Sequence, residues 1–302
     1  MTVKTNHILF VPGKNPKPPA DHHRRLLWRS LLRGVEKYDA AIAAEMATHG
    51  EAFHLVPWNG VYYRDVKQIE DDLPWIEELL KKTGPSPEDI RAARSWRNKT
   101  AWLIYTLADL FPFLIPLTPD PAVKNTIEET RHYFENRDNI GWQVRELLKV
   151  PLRRIFASGG RALVIGHSMG SVIAYDALWE LWHEERLRGH IDLFLTLGSP
   201  LGMRFVQNRL LGSDKTGKQR YPGNIRRWLN VAAEGDLTAL DPEVRDDFQP
   251  MLDLGLTERI QDKHDEIYTH FRNQHGLNPH RSYGYLVHDR VGKIIAQWWR
   301  GG

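Results

Sequence analysis

A serine stands between two glycines in the segment Gly166-His-Ser-Met-Gly170, and its surroundings indicate a nucleophile. The apolar run Ala162–Ile165 before it suits a buried parallel strand, and the apolar residues between 172 and 181 recur at helical spacing. A chain that turns directly from a strand into a helix strains the corner residue, and flanking glycines make room for neighbouring chain. We therefore predict a nucleophile elbow in which Ser168 projects its hydroxyl above a helix N-terminus, where negative charge on a substrate oxygen is stabilised.

The carboxylate that would support this serine is expected shortly after the last predicted strand. A serine hydroxyl is a poor nucleophile at neutral pH, so it needs a histidine base and a carboxylate that orients the base and stabilises its charged form. In chains with such an elbow the acid follows the serine and the histidine comes last. Asp236 follows the predicted strand Arg227–Ala232 and is the expected acid, with Asp241 as the alternative.

The base is expected on a loop before the closing helix, which begins near residue 288 and carries apolar residues at helical spacing. The candidates that follow the acid are His264, His270, His275, His280 and His288. His280 lies in a proline-restricted loop and is the expected base, and His275 and His288 remain as alternatives. The spacing of these histidines matches no metal-ligand pattern on a helix face, so we expect no metal and no cofactor.

Two backbone N–H groups are expected to bind the oxyanion that forms when the serine attacks. One is the N–H of Met169, directly after the serine. The other is the N–H of Lys14, because the segment Phe10-Val-Pro-Gly-Lys14 turns sharply after the first predicted strand. The alternative is a proline- and glycine-containing loop without this role.

The chain has the rhythm of a parallel α/β sheet. The predicted strands are His7–Val11, Ala52–Pro57, Ala162–Ile165, Asp192–Leu197 and Arg227–Ala232, separated by stretches long enough for crossover helices. About a hundred residues separate the second strand from the third, far more than one helix needs. Residues Ile140–Phe156 have one apolar face and predict the helix that leads to the elbow strand. We therefore expect a core of residues 1–60 and 140–302, and a helical cap or lid of residues 61–139.

Part of the predicted cap is nearly all apolar. The segment Thr100–Leu117 contains a single charge, Asp109, and two prolines, which argue against a membrane span. We expect its apolar face to cover the serine and to line an acyl pocket, with Trp102, Phe111 and Phe113 as wall residues. The alternatives are a helix buried against the core and an interfacial membrane anchor.

Composition narrows the class of protein. The 302 residues are 41% hydrophobic, which is enough for a buried core. The 41 Lys and Arg nearly balance the 38 Asp and Glu and are scattered, so a nucleic-acid partner is not expected. Because there is no cysteine, a disulfide scaffold and a thiolate nucleophile are excluded. The apolar run at the N-terminus is short and leads into a glycine loop, which predicts a first strand rather than a signal peptide and a cytoplasmic location.

These motifs together resemble the α/β-hydrolase superfamily, particularly its lipase-like and phospholipase-like members with a Gly-His-Ser-Met/Leu-Gly-Ser elbow. The segment Leu195-Thr-Leu-Gly-Ser-Pro-Leu-Gly202 is similar to the one that ends the strand after the elbow and borders the active site in those proteins. Residues 228–231 with the later Asp-Pro, and His280 with the tyrosine three positions on, are similar to their acid and base segments. The resemblance covers most of the chain outside 61–139. It departs at Pro12-Gly13, where relatives commonly carry His-Gly.

The residues and the resemblance together imply an α/β-hydrolase fold and a serine hydrolase that cleaves carboxylic esters through an acyl-enzyme. In that mechanism Ser168 attacks, His280 moves the proton, Asp236 orients His280, and the amides of Lys14 and Met169 hold the oxyanion. The expected substrate is a small-molecule ester or a lipid with a hydrophobic acyl group. A thioesterase or acyltransferase with the same triad, and a non-catalytic hydrolase-fold protein that binds a ligand through the cap, are the alternatives.

Overall fold

The computed structural model describes residues 5–63, 66–68, 70, 72–95, 132–239 and 241–301. The strands in these ranges are β1 Asn6–Val11, β2 Phe53–Leu55, β3 Arg161–His167, β4 Leu193–Leu197, β5 Arg227–Val231, β6 Arg259–Lys263, β7 Arg272–Asn273 and β8 Gly276–Leu277. The α-helices are α1 Ala20–Tyr38, α2 Ala40–Ala47, α3 Asn59–Tyr62, α4 Leu73–Lys81, α5 Pro87–Ala93, α6 Ile140–Ser158, α7 Met169–His183, α8 Arg204–Gln207, α9 Val244–Asp247, α10 Gln249–Asp253, α11 Ser282–Leu286 and α12 Asp289–Trp299.

Six parallel strands form the central sheet in the order β2-β1-β3-β4-β5-β6. The predicted α/β architecture with a mainly parallel sheet is therefore confirmed. The neighbours β1 and β3 pair along the whole length of β1, up to Val11, which pairs with Gly166. The strand order reverses between these two strands, and crevices at such switch points lie outside the carboxyl ends of the strands. The loops that follow β1 and β3 therefore meet at one edge of the sheet.

Helices cover both faces of the sheet. Ile8 and Phe10 of β1 point to a core shared with α1, α2, α11 and α12, whereas Leu9 and Val11 point to a core shared with α6 and α7. A strand that is buried on both faces has no polar alternation, which explains its apolar run. The predicted helix Ile140–Phe156 extends to Ser158 as α6 and ends at Gly159, which adopts a left-handed conformation.

The five predicted strands are present, and the sequence missed two further features. The second strand is shorter than predicted, because only Phe53–Leu55 pairs with β1. The edge strand β6 was not predicted, because it is polar in sequence and buries only Ile260 fully. The two-residue strands β7 and β8 form a small antiparallel hairpin outside the main sheet.

Part of the interval that was predicted to be a cap is described. Ile76 and Leu79 of α4 belong to the same apolar core as α1, and Glu77 forms an ion pair with Arg29 of α1. Residues 96–131 lie outside the described residues. Of the helices that are described, none has the length and apolar character to cross a membrane.

The helices α1 and α12 cross with their backbones in contact. A Cβ atom on Gly292 of α12 would overlap the carbonyl oxygen of Gly34 in α1. A Cβ on Gly34 would in turn overlap the carbonyl oxygen of Leu286. The close crossing therefore requires glycine at both positions, and it fixes the C-terminal segment that follows the predicted base.

We expect Gly292→Ala to lower the free energy of unfolding by about 1–3 kcal/mol, because the added methyl group overpacks this crossing. Urea unfolding of the purified variant measures the change. Gly60→Ala is the matched control, since a Cβ on Gly60 meets no atom within 4 Å and alanine favours a helix. Equal stability of the Gly292 variant and the wild type would contradict the contact.

Candidate active site

The turn between β3 and α7 holds Ser168 in a strained conformation, with φ 53° and ψ −130°. The flanking glycines allow close packing on both sides. A Cβ on Gly166 would lie 2.5 Å from the Cα of Ser171, and a Cβ on Gly170 would overlap the carbonyl oxygen of Val11. The N–H of Ser168 donates to the carbonyl oxygen of Leu197 in β4 at 3.0 Å, which ties the turn to the sheet.

Asp236 and His280 lie together, although 44 residues separate them. The Nδ1 atom of His280 is 3.0 Å from both carboxylate oxygens of Asp236, and a carboxylate can only accept, so the imidazole donates. The carboxylate is buried, with 5% of the residue exposed. It also accepts the N–H of Thr238 at 2.9 Å and the hydroxyl of Tyr285 at 2.6 Å.

These donors decide the charge of the carboxylate. Burial by itself raises the pKa of Asp236, but the charge and hydrogen bond of His280 and the donors Tyr285 and Thr238 outweigh burial, so the pKa lies below its usual value. Burial and the charge of Asp236 raise the pKa of Tyr285 well above its usual value, so its hydroxyl stays a donor. Asp236 is therefore an anion that faces His280.

Sequence reasoning missed the role of Tyr285. Its hydroxyl accepts the N–H of Ala233 at 2.9 Å while it donates to Asp236, so it links the end of β5 to the carboxylate. The sequence offers only a tyrosine five residues after His280, next to the equally buried Tyr283. Only the packing of α11 decides which tyrosine reaches the acid.

His167 is a second residue whose contact the sequence did not reveal. Its Nε2 atom donates to the backbone carbonyl of His280 at 2.7 Å, and the two rings lie 4.8 Å apart. Burial and the charge of His280 lower the pKa of His167 well below its usual value. His167 is therefore a neutral side chain that fixes the backbone of the candidate base.

The alternatives from the sequence lie elsewhere. Asp241 is exposed and accepts the N–H of Glu243 at 3.0 Å within its own turn. His275 is exposed in the turn between β7 and β8. His288 is buried and caps α12 by accepting the N–H of Arg290. Asp236 and His280 therefore form the acid and histidine pair that the geometry favours.

The loop after β1 passes directly over the serine. A Cβ on Gly13 would lie 2.9 Å from the Cβ of Ser168 and 2.9 Å from Nδ1 of His167, so only glycine fits there. Met169 is the first residue of α7, and the first N–H groups of a helix have no partner within it. Lys14 and Met169 both border the same pocket as Ser168. The direction of their N–H groups towards an oxyanion stays a prediction.

The serine and the histidine share a pocket of about 360 Å³. Its apolar wall consists of Met169, Pro200, Met203, Phe205, Val206 and Leu237, and its polar wall includes Lys14, Asn15, Lys17, Asn278 and Arg281. The pocket volume falls within the usual range for small-molecule sites. The predicted wall residues Trp102, Phe111 and Phe113 lie outside the described residues.

Within the described ranges, no group of three or more metal-ligating side chains is arranged to hold a metal ion. Comparisons of the chain with protein-family models, with curated proteins and with solved structures each find no match. The functional interpretation therefore depends on the geometry and charge of this site.

We expect Tyr285→Phe to lower the free energy of unfolding by about 1–3 kcal/mol at neutral pH, because it leaves the N–H of Ala233 without its acceptor and Asp236 without one of its three donors. The pKa of Asp236 is lower in the folded protein than in the unfolded protein, so its ionised form stabilises the fold at pH values above the unfolded pKa, and this stabilisation is lost as the pH falls through the folded pKa. The difference in free energy of unfolding between Tyr285→Phe and the wild type should therefore become smaller in acid. Urea unfolding across pH measures it.

Tyr268→Phe is the matched control for this variant. The Tyr268 hydroxyl is buried and has no hydrogen-bond partner among the described residues, so its removal should leave stability equal or higher. If both variants lost the same stability, the specific role of the Tyr285 hydroxyl would be wrong.

Proposed function

We propose that this chain is a serine hydrolase of the α/β-hydrolase fold that cleaves carboxylic esters with a hydrophobic acyl group. One observation carries the proposal. A serine in a strained strand-to-helix turn borders the same pocket as a histidine whose Nδ1 is held by a buried, ionised aspartate. The six-stranded parallel sheet, with the serine at the carboxyl edge of a central strand, is compatible with that fold.

In the proposed acylation, His280 removes the hydroxyl proton of Ser168 through Nε2, because Nδ1 is engaged with Asp236. The Oγ atom bonds to the ester carbonyl carbon, and the carbonyl oxygen becomes an oxyanion. When the tetrahedral intermediate collapses, its bond to the alcohol oxygen breaks, and the alcohol leaves with the proton from His280. Water then attacks the acyl-enzyme with the same base, which releases the acid and restores Ser168.

The charges of the site support this sequence of proton transfers. The buried Asp236 carboxylate stabilises the imidazolium that forms, and a charge pair is stronger away from bulk water. His167 stays neutral beside His280, so it adds no positive charge that would oppose proton uptake. The acid, the base and the neutral neighbour therefore favour a base that takes and returns one proton.

The oxyanion would form at the N-terminus of α7, a helix of 15 residues. The N–H of Met169 and the helix dipole favour negative charge there. The N–H of Lys14 is the proposed second donor, since Gly13 brings this loop into contact with Ser168. The aliphatic and aromatic residues that line the same pocket suit a hydrophobic acyl chain. Residues 61–139 remain the proposed cap over this pocket.

We expect Ser168→Ala to reduce the hydrolysis of 4-nitrophenyl esters by about a thousandfold or more and to abolish labelling by a fluorophosphonate probe, because the nucleophile is absent. The fold should be kept, which circular dichroism checks. Ser158→Ala is the control, since Ser158 is exposed at the end of α6 and should keep wild-type activity and labelling. Labelling of the Ser168→Ala protein would overturn the assignment.

We expect His280→Ala to reduce kcat by at least about a thousandfold, because no base remains for Ser168. His275→Ala should have activity within about twofold of wild type, since His275 is an exposed turn residue. His288→Ala should affect stability through its lost helix cap more than it affects kcat. Steady-state kinetics of the three variants compare them, and an inactive His288→Ala protein with active His280→Ala would reject the proposed base.

A further inference from the structure

Basic side chains gather on one wall of the pocket that contains Ser168. Lys17 and Arg281 border the pocket, and Lys67 lies beside them. Asp72 is the carboxylate they share, since it forms ion pairs with both Lys67 and Arg281. Counted over these four described side chains, the wall has three cationic groups and one carboxylate.

Among these basic groups, the charge of Lys17 is the least balanced by a nearby carboxylate. Its ammonium donates to the carbonyl oxygen of Lys14 at 2.6 Å, and no carboxylate among the described residues lies within ion-pair distance of it. Burial lowers the pKa of Lys17 to about 7, with further lowering by Arg281 and Lys67 that Asp72 opposes only in part. Charged groups with such unfavourable surroundings are more frequent at functional sites than elsewhere in folded proteins.

The basic wall adjoins the proposed reaction centre. Lys17 is held by the carbonyl of Lys14, whose N–H is the proposed oxyanion donor. Arg281 directly follows His280 in the chain. The charge of Lys17 also lowers the pKa of His167, the neighbour of Ser168. An anion bound on this wall would therefore share one pocket with the group that reacts with the serine, so a single small molecule can carry both groups.

We propose that Lys17 and Arg281 bind an anionic group of the substrate, a carboxylate or a phosphate, so that the pocket selects acidic esters with one hydrophobic portion. The selection of acidic esters rests on the proposed hydrolase function, whereas the binding of an anion does not. An anion would supply negative charge that the described side chains of this wall lack and would stabilise the protonated form of Lys17. If Lys17 served only to hold the Lys14 loop, the neighbouring positive charges of Arg281 and Lys67 would not be needed.

Binding is tested without catalysis. In the Ser168→Ala protein, glutarate or inorganic phosphate should raise Tm with concentration, because a ligand that binds the folded state stabilises it. Adding Lys17→Met to this protein should remove the rise in Tm. The anion that raises Tm only when Lys17 is present, glutarate or phosphate, shows whether the site binds a carboxylate or a phosphate. The Lys17→Met protein should fold at least as stably, since it lacks a half-buried cation whose pKa is lowered.

Lys215→Met in the same background is the matched control. It makes the same chemical change at a half-exposed lysine paired with Asp214, so it should keep the rise in Tm.

The rise in Tm with glutarate should also weaken as the pH rises through about 7 and above, because Lys17 then loses its proton. Among the described residues, the charged and titratable neighbours of Lys17 are Lys14, His23, Lys67, Asp72, His167, His280 and Arg281. Burial keeps His23 neutral, so it does not take over this titration.

Selectivity is tested with matched esters. We expect the ratio of kcat/KM for 4-nitrophenyl hydrogen glutarate to that for 4-nitrophenyl pentanoate to fall about tenfold in Lys17→Met, which removes one charge-assisted contact. The ratio should be unchanged in Lys215→Met. The 4-nitrophenyl ester of 4-phosphonobutanoate gives the same comparison for a phosphate-like group.

The outcomes separate the two proposals. If no ester is cleaved but Lys17→Met removes the rise in Tm, the anion site stands and the proposed hydrolase function fails. If esters are cleaved while Lys17→Met changes neither the rise in Tm nor the ratio, the anion site is overturned and the hydrolase function stands. A loss of both effects in Lys17→Met alone supports the site as proposed.

Discussion

The close approach of the end of β1 to the turn around Ser168 is the constraint on which the site depends. The carbonyl oxygen of Val11 packs closely against Gly170, and Gly13 lies against Ser168, so a side chain at either glycine would push the β1 loop away from the turn around Ser168. This contact holds the serine at positive φ, because the surrounding chain leaves no room for it to relax. It also brings the backbone of the first loop next to the serine, where an oxyanion donor is needed. The buried carboxyl-terminal parts of β1 and β3 supply the rigidity that keeps this strain.

Three side chains position the base, one by direct contact with its imidazole and two through its backbone or its carboxylate partner. Asp236 supplies a full negative charge at Nδ1 of His280, His167 binds the backbone carbonyl as a neutral donor, and Tyr285 fixes the acid without sharing its charge. The hydrogen bond to Asp236 therefore orients the imidazole, while His167 and Tyr285 fix the backbone of His280 and the carboxylate of Asp236. Positive charge is concentrated instead at Lys17 and Arg281, on the wall next to the base. The proposed site thus separates the charge used for proton transfer from the charge used for recognition.

The sequence was informative wherever local pattern and burial coincide. The strands at the centre of the sheet are buried on both faces, so their apolar runs were visible, and α6 has a complete apolar stripe. The edge strand β6 was missed, because four of its five residues are polar and only Ile260 is fully buried. For the acid and the base, the sequence left Asp241, His275 and His288 open. Nothing local distinguishes an aspartate in one turn from an aspartate in the next, and only the path of the chain brings Asp236 to His280.

The sequence by itself determined the parallel α/β architecture and the strand-turn-helix around Ser168, because these depend on residues adjacent in the chain: a buried run, two glycines and a helical stripe. The tertiary structure alone decided the partners of the histidine, since Asp236, Tyr285 and the carbonyl contact of His167 join segments that are 44 to 113 residues apart. It also decided the basic wall, where residue 17 meets residues 67, 72 and 281. The interaction between two charges depends on the distance between them in the fold, and the positions of scattered charges along a sequence do not give those distances.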